Sequence, residues 1–285
     1  MTNFIKTILI VFAFISTHAM NAQSTKFENT LLWKVSGNGL EKPSYLFGTF
    51  HALCGKNFVI KSKVDSAFSK TSKLVLELNL ADSNEIKIMG QSAISPIPLT
   101  KKLTNEQVTK LDAILKDKVG VPLKQFDNYS LETIMSVLML KELGCNDIKS
   151  CELEFIAKAK EKRINVVGLE KVSEQFAILQ KSFTDDEYIN YFQTINPEMM
   201  NTLTKAYLSE NITELYEMTT TEELIPKTRK QILLDERNLN WTKIMPSMMQ
   251  KESIFFAFGA AHLGGENGVI NLLRKAGYKV DAVLK

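Results

Sequence analysis

Two short phrases near opposite ends of the chain constrain its fold more than any other feature: Phe47-Gly48-Thr49-Phe50-His51 and Phe258-Gly259-Ala260-Ala261-His262. Each closes an apolar, strand-like run with a glycine and places an imidazole three residues later. Glycine follows again, at Gly55 in one case and at Gly264 and Gly265 in the other. A glycine at a strand end lets the backbone turn sharply or approach a neighbour closely, and the histidine can then point back over that end. Two repeats of strand, Gly-x-x-His, helix and strand therefore bracket the chain. Loops leaving the carboxyl ends of parallel strands line the ligand crevice of an open sheet, so the repeat predicts that both imidazoles share one pocket.

The remaining periodicity agrees with such a sheet. Runs rich in β-branched and aromatic residues at 32–35, 45–47, 74–78, 164–167, 254–258 and 278–283 predict strands. Apolar residues at helical spacing, such as Val108, Leu111, Ile114 and Leu115, predict a helix over 105–118. Similar patterns predict helices over 131–143, 153–162, 173–181, 197–209, 212–219 and 228–245. Strands separated by helices argue for an α/β (α+β) fold. Its central mixed sheet is drawn from two related halves within one domain, 23–285, with large helical insertions at about 99–160 and 184–250. Breakers at 95–98 and 120–122 mark the first insertion.

The 285 residues are 45% hydrophobic and 24% charged, which excludes a disordered chain, a collagen or a coiled-coil rod. With 35 Lys and Arg against 32 Asp and Glu, the excess is too small and dispersed for a nucleic-acid partner or a polybasic membrane contact. Residues 1–22 run from Lys6 through an apolar stretch, 8–15, into Ser16, Thr17, Ala19, Asn21 and Ala22, the order of a secretory signal peptide cleaved before Gln23. That apolar stretch falls short of the roughly 20 residues a spanning helix needs. The expectation is an exported protein, periplasmic or secreted, with no membrane anchor after cleavage. Losing His18 with the signal leaves only His51 and His262. Disulfides persist in exported proteins, and Cys145 and Cys151 flank a short polar turn, so they are the expected pair. Cys54 is then free, either a buried thiol or, being close to His51, a metal ligand.

Two neutral imidazoles suit a divalent ion when a carboxylate completes the set. Glu77 interrupts the apolar run Leu74-Val75-Leu76-Glu77-Leu78 and must be ion-paired, metal-bound or protonated if buried. Glu170 ends Val166-Val167-Gly168-Leu169-Glu170, where it could face the same crevice or simply favour a helix start. Arg237 and Asn238 lie in a charged helical stretch. They read either as a solvated face or as a carboxylate clamp and oxyanion stabiliser. A Gly-x-Ser-x-Gly elbow, His-Glu-x-x-His and Cys-x-x-Cys are all absent.

Taken together, Leu-Phe-Gly48-Thr49-Phe50-His51, the strand acid Glu77, Val-Gly168-Leu169-Glu170 followed by Gln175, Arg237-Asn238, and Phe-Gly259-Ala260-Ala261-His262-Leu263 with Gly277-Tyr278 resemble the TraB/GumN family. That family includes the Tiki proteins and is related to erythromycin-esterase-like and ChaN-like proteins. The resemblance runs from about residue 31 to the end of the chain and is weakest over 99–160. It implies an α/β core of two halves, each giving one Gly-x-x-His, with Gly48 and Gly259 forming the loops, to a divalent-metal-dependent protease site. On that resemblance His51 and His262 are metal ligands, Glu77 a ligand or general base, Arg237 and Asn238 line the site, and Glu170 is a candidate to move protons. Manganese, cobalt or zinc is the expected ion, and a peptide or protein the expected substrate. The same resemblance leaves open a non-catalytic binding protein that sequesters a peptide or signal, or holds haem or iron.

Overall fold

The computed structural model describes residues 27–222 and 227–285. The expected signal peptide, 1–22, lies outside the described residues.

Strands β1 (Leu32–Ser36) and β2 (Ser44–Thr49) form an antiparallel pair with Leu32 opposite Phe47. A two-residue strand, β3 (Leu53–Cys54), follows just past His51, and helix α1 (Ser62–Ser69) carries the chain to β4 (Lys73–Leu78). Helices α2 (Ser83–Ser92), α3 (Leu99–Lys102), α4 (Asn105–Lys118) and α5 (Leu131–Glu142) precede β5 (Ile148–Lys149), helix α6 (Cys151–Lys162) and β6 (Asn165–Glu170). Then come α7 (Val172–Ser182), α8 (Asp185–Thr194), α9 (Pro197–Leu208) and α10 (Ile212–Thr219). Helix α11 (Lys227–Lys230) passes through a π-helical stretch, Gln231–Asp235, into α12 (Glu236–Met249). Strand β7 (Ile254–Gly259), helix α13 (Val269–Lys275) and β8 (Lys279–Ala282) end the sequence.

Six of the strands make one mixed sheet in the order β6-β4-β7-β2-β1-β8. Strand β4 runs parallel to β6 and β7, and β7 runs parallel to β2, whereas β1 is antiparallel to both its neighbours. These six strands are the six runs expected from the sequence. The central strands β4 and β7 are mostly apolar because helices cover both faces, which is the pattern of parallel strands, and Glu77 is the acid that interrupts β4. On one face Phe68 of α1 and Phe155 of α6 pack on Phe255 at ring separations of 5.3 and 5.0 Å. On the other, Trp241 of α12 lies 5.4 Å from Phe258. A second apolar cluster, built on Leu111, Leu115, Ile134, Leu138, Tyr188 and Phe192 from α4, α5 and α8, sits apart from that core.

Local chemistry accounts for the element boundaries. Helix α4 starts at Asn105 because Thr104 and Gln107 close a reciprocal capping box, and α9 starts at Pro197 beneath the Asn196 cap. Helix α6 begins at Cys151, two residues before the expected start, because the Ser150 side chain accepts from Leu153 N. Helices α1 and α13 are the helices expected after the two Gly-x-x-His phrases, α8 lies within the expected insertion 184–250, and α2 has no expected counterpart. Helix α2 buries no residue, so its apolar periodicity is thin. No helix among the described residues is long and apolar enough to cross a membrane.

The expected Cys145–Cys151 disulfide is corrected: Cys54 is bonded to Cys145, their Cα atoms 5.9 Å apart, and Cys151 is the free, buried thiol. The cause is the β3–β5 ladder, in which Cys54 pairs with Ile148 and Gly55 N donates to Asp147 O, so the segment carrying Cys145 folds back onto Cys54. Cys151 meanwhile opens α6 and turns into the core, 3.5 Å from the Tyr207 hydroxyl, where burial pushes its pKa up to about 11. A peptide map under non-reducing conditions should recover Cys54 joined to Cys145, with Cys151 alkylated only after unfolding. Replacing both bonded cysteines by serine should lower the unfolding free energy, measured with urea, by about 2–4 kcal/mol.

Candidate functional site

The carboxyl ends of β2, β4, β6 and β7 emerge along one edge of the sheet, and this parallel register positions the chemistry. Gly48 pairs with Phe258 and Thr49 with Gly259, so the two Gly-x-x-His phrases leave adjacent strands one residue out of step. Leu76 pairs with Ala257, which sets the next residue, Glu77, on the face of Phe258 and therefore on the side of α12.

Both glycines are required by close approach rather than by a left-handed backbone. A Cβ at Gly48 would lie 2.7 Å from Leu263 Cδ1 and 3.0 Å from Ala260 Cα, so the turn after β7 is packed directly against β2. A Cβ at Gly259 would lie 3.1 Å from Glu77 Oε1, 3.7 Å from His51 Nε2 and 3.7 Å from His262 Cδ2. Glu77 and the two imidazoles therefore gather around Gly259.

Arg237 binds this group together. Its Nη2 donates to Glu77 Oε2 at 2.7 Å, and its Nε donates to Glu170 Oε1 and Oε2 at 2.9 and 3.1 Å. Its Nη1 donates to Leu233 O and to His262 Nε2, each at 3.1 Å. The π-helical stretch immediately before α12 supplies that Leu233 carbonyl. Trp241, one turn further on, donates to Glu170 Oε1 at 2.8 Å and lies beneath the guanidinium. Arg237 and Asn238 are thus buried, at 8% and 1% exposure, and do not form the solvated face that their charged surroundings suggest. Gln175 of α7 adds a longer bond to Glu77 Oε2, and Gly259 N donates to Glu77 Oε1 at 2.6 Å.

The two histidines have opposite electrostatics. A guanidinium can only donate, so His262 Nε2 accepts, its proton lies on Nδ1, and that N–H donates to Asn238 Oδ1 at 2.6 Å. Burial together with the Arg237 charge lowers its pKa to about 3, which keeps the ring neutral. His51 Nδ1 instead meets Glu152 Oε1 at 2.9 Å. The surrounding protein atoms oppose its protonation, but the Glu152 hydrogen bond and charge prevail and raise its pKa to about 9. Water over its 71% exposed side chain screens that pull. For Glu77, burial opposes ionisation, yet Arg237 and the Gly259 N–H hold its carboxyl well below the usual range.

Glu152 is the residue that sequence reasoning missed. It lies in the first turn of α6, where an acid is ordinary, and nothing in its neighbourhood points to His51, 101 positions earlier in the chain. Burial raises and the His51, Thr49 and Ser150 hydrogen bonds lower its pKa, to about 2 overall, so it is a carboxylate at neutral pH. The only sequence signal was Ser150, whose cap fixes the turn that carries it.

The donors, two imidazoles and a carboxylate, suit a divalent ion in kind, although His262 Nε2 and both Glu77 oxygens already accept hydrogen bonds from Arg237, Gly259 and Gln175. Glu152 and Asn238 occupy Nδ1 of the two rings, as groups behind metal-bound imidazoles do, and Nε2 of His51 makes no hydrogen bond to any described residue. An ion would compete with Arg237 for the lone pair of His262 Nε2. As the side chains stand, no group of three or more His, Cys, Asp or Glu among the described residues is close enough to enclose one.

Comparison with known proteins adds to this geometry. The model of the TraB/PrgY/gumN family matches residues 31–282. The zebrafish protein Metalloprotease TIKI1 is 23% identical over 89% of this chain, and Metalloprotease TIKI2 from the same fish is 24% identical over 90%. Human Metalloprotease TIKI1 is 23% identical over 89%. The chain spans only 62–63% of the length of these relatives.

Replacing Arg237 by Met should strand Glu77 and Glu170 without a cation and cost about 3–5 kcal/mol of stability in urea unfolding. Adding Glu77→Gln should restore part of that loss, a coupling of about 0.5–3 kcal/mol. Simple additivity would show that the pair does not interact.

Proposed function

Because the chain belongs to the TraB/PrgY/gumN family, we propose that it is an exported peptide hydrolase that works with a divalent ion, manganese, cobalt or zinc. The observation that carries this reading is the gathering of His51, His262 and Glu77 around Gly259 at the carboxyl ends of β2, β7 and β4. The names of the TIKI relatives and the Cys54–Cys145 disulfide, a bond that oxidising compartments sustain, support it.

His51 and His262, through Nε2, and Glu77 would hold the ion. When bound, it would bring a water towards neutrality in pKa and polarise a carbonyl. The chain's own groups supply the rest. Glu152 keeps the His51 proton on Nδ1, and Asn238 does the same for His262. Arg237, charged at any working pH, faces the carboxylate of Glu77 and is placed to hold a developing oxyanion. Both oxygens of Glu170 accept from Arg237, so in this reading Glu170 positions that cation.

One observation favours a second reading within the same reaction class. Arg237 already occupies the lone pair of His262, so His51 with Glu152 behind it would act on water without an ion.

The test is cleavage of an internally quenched peptide library, with elemental analysis of the same protein. Chelator should stop cleavage and manganese restore it, and His51→Ala should slow it roughly 10²–10⁴-fold. Glu77→Gln that retains the ion but loses activity identifies Glu77 as the base, and loss of both identifies it as a ligand. Cleavage indifferent to chelator supports the second reading. Peptide binding without any cleavage places the protein among non-catalytic binders.

A further inference from the structure

A cavity of about 250 Å³ opens beside the candidate site, with His51 and Gly259 in its lining. Its walls are apolar: Met139 and Leu140 from α5, Met200 and Leu203 from α9, Leu215 from α10, and Phe50. These helices come from both apolar clusters, so the cavity lies at the seam between the sheet core and the helical cluster.

The polar groups in the wall are already committed. Thr49 Oγ1 donates to Glu152 and Thr219 Oγ1 to the Leu215 carbonyl. Among the described residues that line the cavity, His51 is the only one with an ionisable side chain. A charged or strongly polar group placed inside would lose its water and gain no partner, which costs several kcal/mol. The volume lies below the roughly 300–1,000 Å³ of sites that hold whole cofactors or drug-sized ligands. It matches one large side chain.

We infer that this cavity takes a single large apolar side chain, of leucine, methionine or phenylalanine size, on the peptide residue flanking the scissile bond. The inference deepens the hydrolase reading and rests on it for the position of that bond. The wall is built to keep its place relative to the imidazole. The segment after α5 is fastened to the loop after His51 by the Cys54–Cys145 disulfide and by the β3–β5 ladder. A side chain lodged against Met139 and Leu203 would therefore present its neighbouring peptide carbonyl towards His51 and Gly259.

Two measurements on the full chain separate this inference from the hydrolase reading. In the first, three quenched peptides differ only at the flanking residue, Leu, Ala or Asp. The leucine peptide should be cleaved with kcat/KM at least about tenfold above the alanine peptide, and the aspartate peptide should be the poorest. Leu140→Lys, at a wall residue already 40% exposed, should leave the fold intact and shift the preference towards a glutamate peptide. In the second, N-acetyl-leucinamide should shift the NMR methyl signals of Met139 and Met200 where N-acetyl-alaninamide does not. Cleavage without preference at that residue and without methyl shifts overturns the inference and leaves the hydrolase reading standing. Methyl shifts with leucinamide but no cleavage of any peptide support the cavity as an apolar side-chain site and remove the hydrolase.

Discussion

The structure depends on one guanidinium. Arg237 is the cation that reaches Glu77 at the end of β4, Glu170 at the end of β6 and His262 in the turn after β7, while its own helix packs across the same face of the sheet. Two carboxylates about 10% exposed would each cost several kcal/mol if left unpaired. A planar fork of five donors satisfies both and still has an N–H for an imidazole and another for the Leu233 carbonyl. Lysine, a point charge on a flexible stem, could not span these acceptors. The π-helical stretch entering α12 belongs to the same arrangement, since such distortions of a helix frequently accompany functional side chains.

That cation also breaks the symmetry of the two Gly-x-x-His phrases. In both, the imidazole carries its proton on Nδ1 and turns its other edge towards Gly259. His262, buried beside Arg237, is held neutral, whereas His51, exposed and backed by a carboxylate, is drawn towards the charged form. Two copies of Phe-Gly-x-x-His therefore supply one passive lone pair and one responsive ring. Such a pair sets one ring fixed within the protein and leaves the other open to solvent.

The helical parts of the chain serve this edge from two directions. Helix α6 brings Glu152 to His51 and packs Phe155 into the core, so the acid that orients the ring is anchored by the same helix that covers the sheet. Helices α5, α9 and α10 close an apolar cavity against the opposite side of His51. The Cys54–Cys145 bond ties these two structures together where the β3–β5 ladder is only two residues long. Sheet edge, orienting acid and cavity wall thereby keep fixed relative positions although they come from distant parts of the sequence.

Strand identity was legible in the sequence because buried strands are short apolar runs rich in β-branched and aromatic residues, and the six runs at 32–35, 45–47, 74–78, 164–167, 254–258 and 278–283 all found places in the sheet. The two histidine phrases and the acid within 74–78 were legible for the same reason, as polar exceptions in apolar runs. The role of Glu152 and the pairing of Cys54 with Cys145 were not. Each is a contact between segments whose local sequence is ordinary, one an acid in a first helical turn and the other a cysteine beside a polar turn. The sequence by itself determined where the six strands of the main sheet and most of the longer helices lie, and which few side chains have no apolar excuse for being there. Only the tertiary structure decided which of them meet, because pairing across a sheet edge is set by strand order and register, and neither leaves a trace in local periodicity.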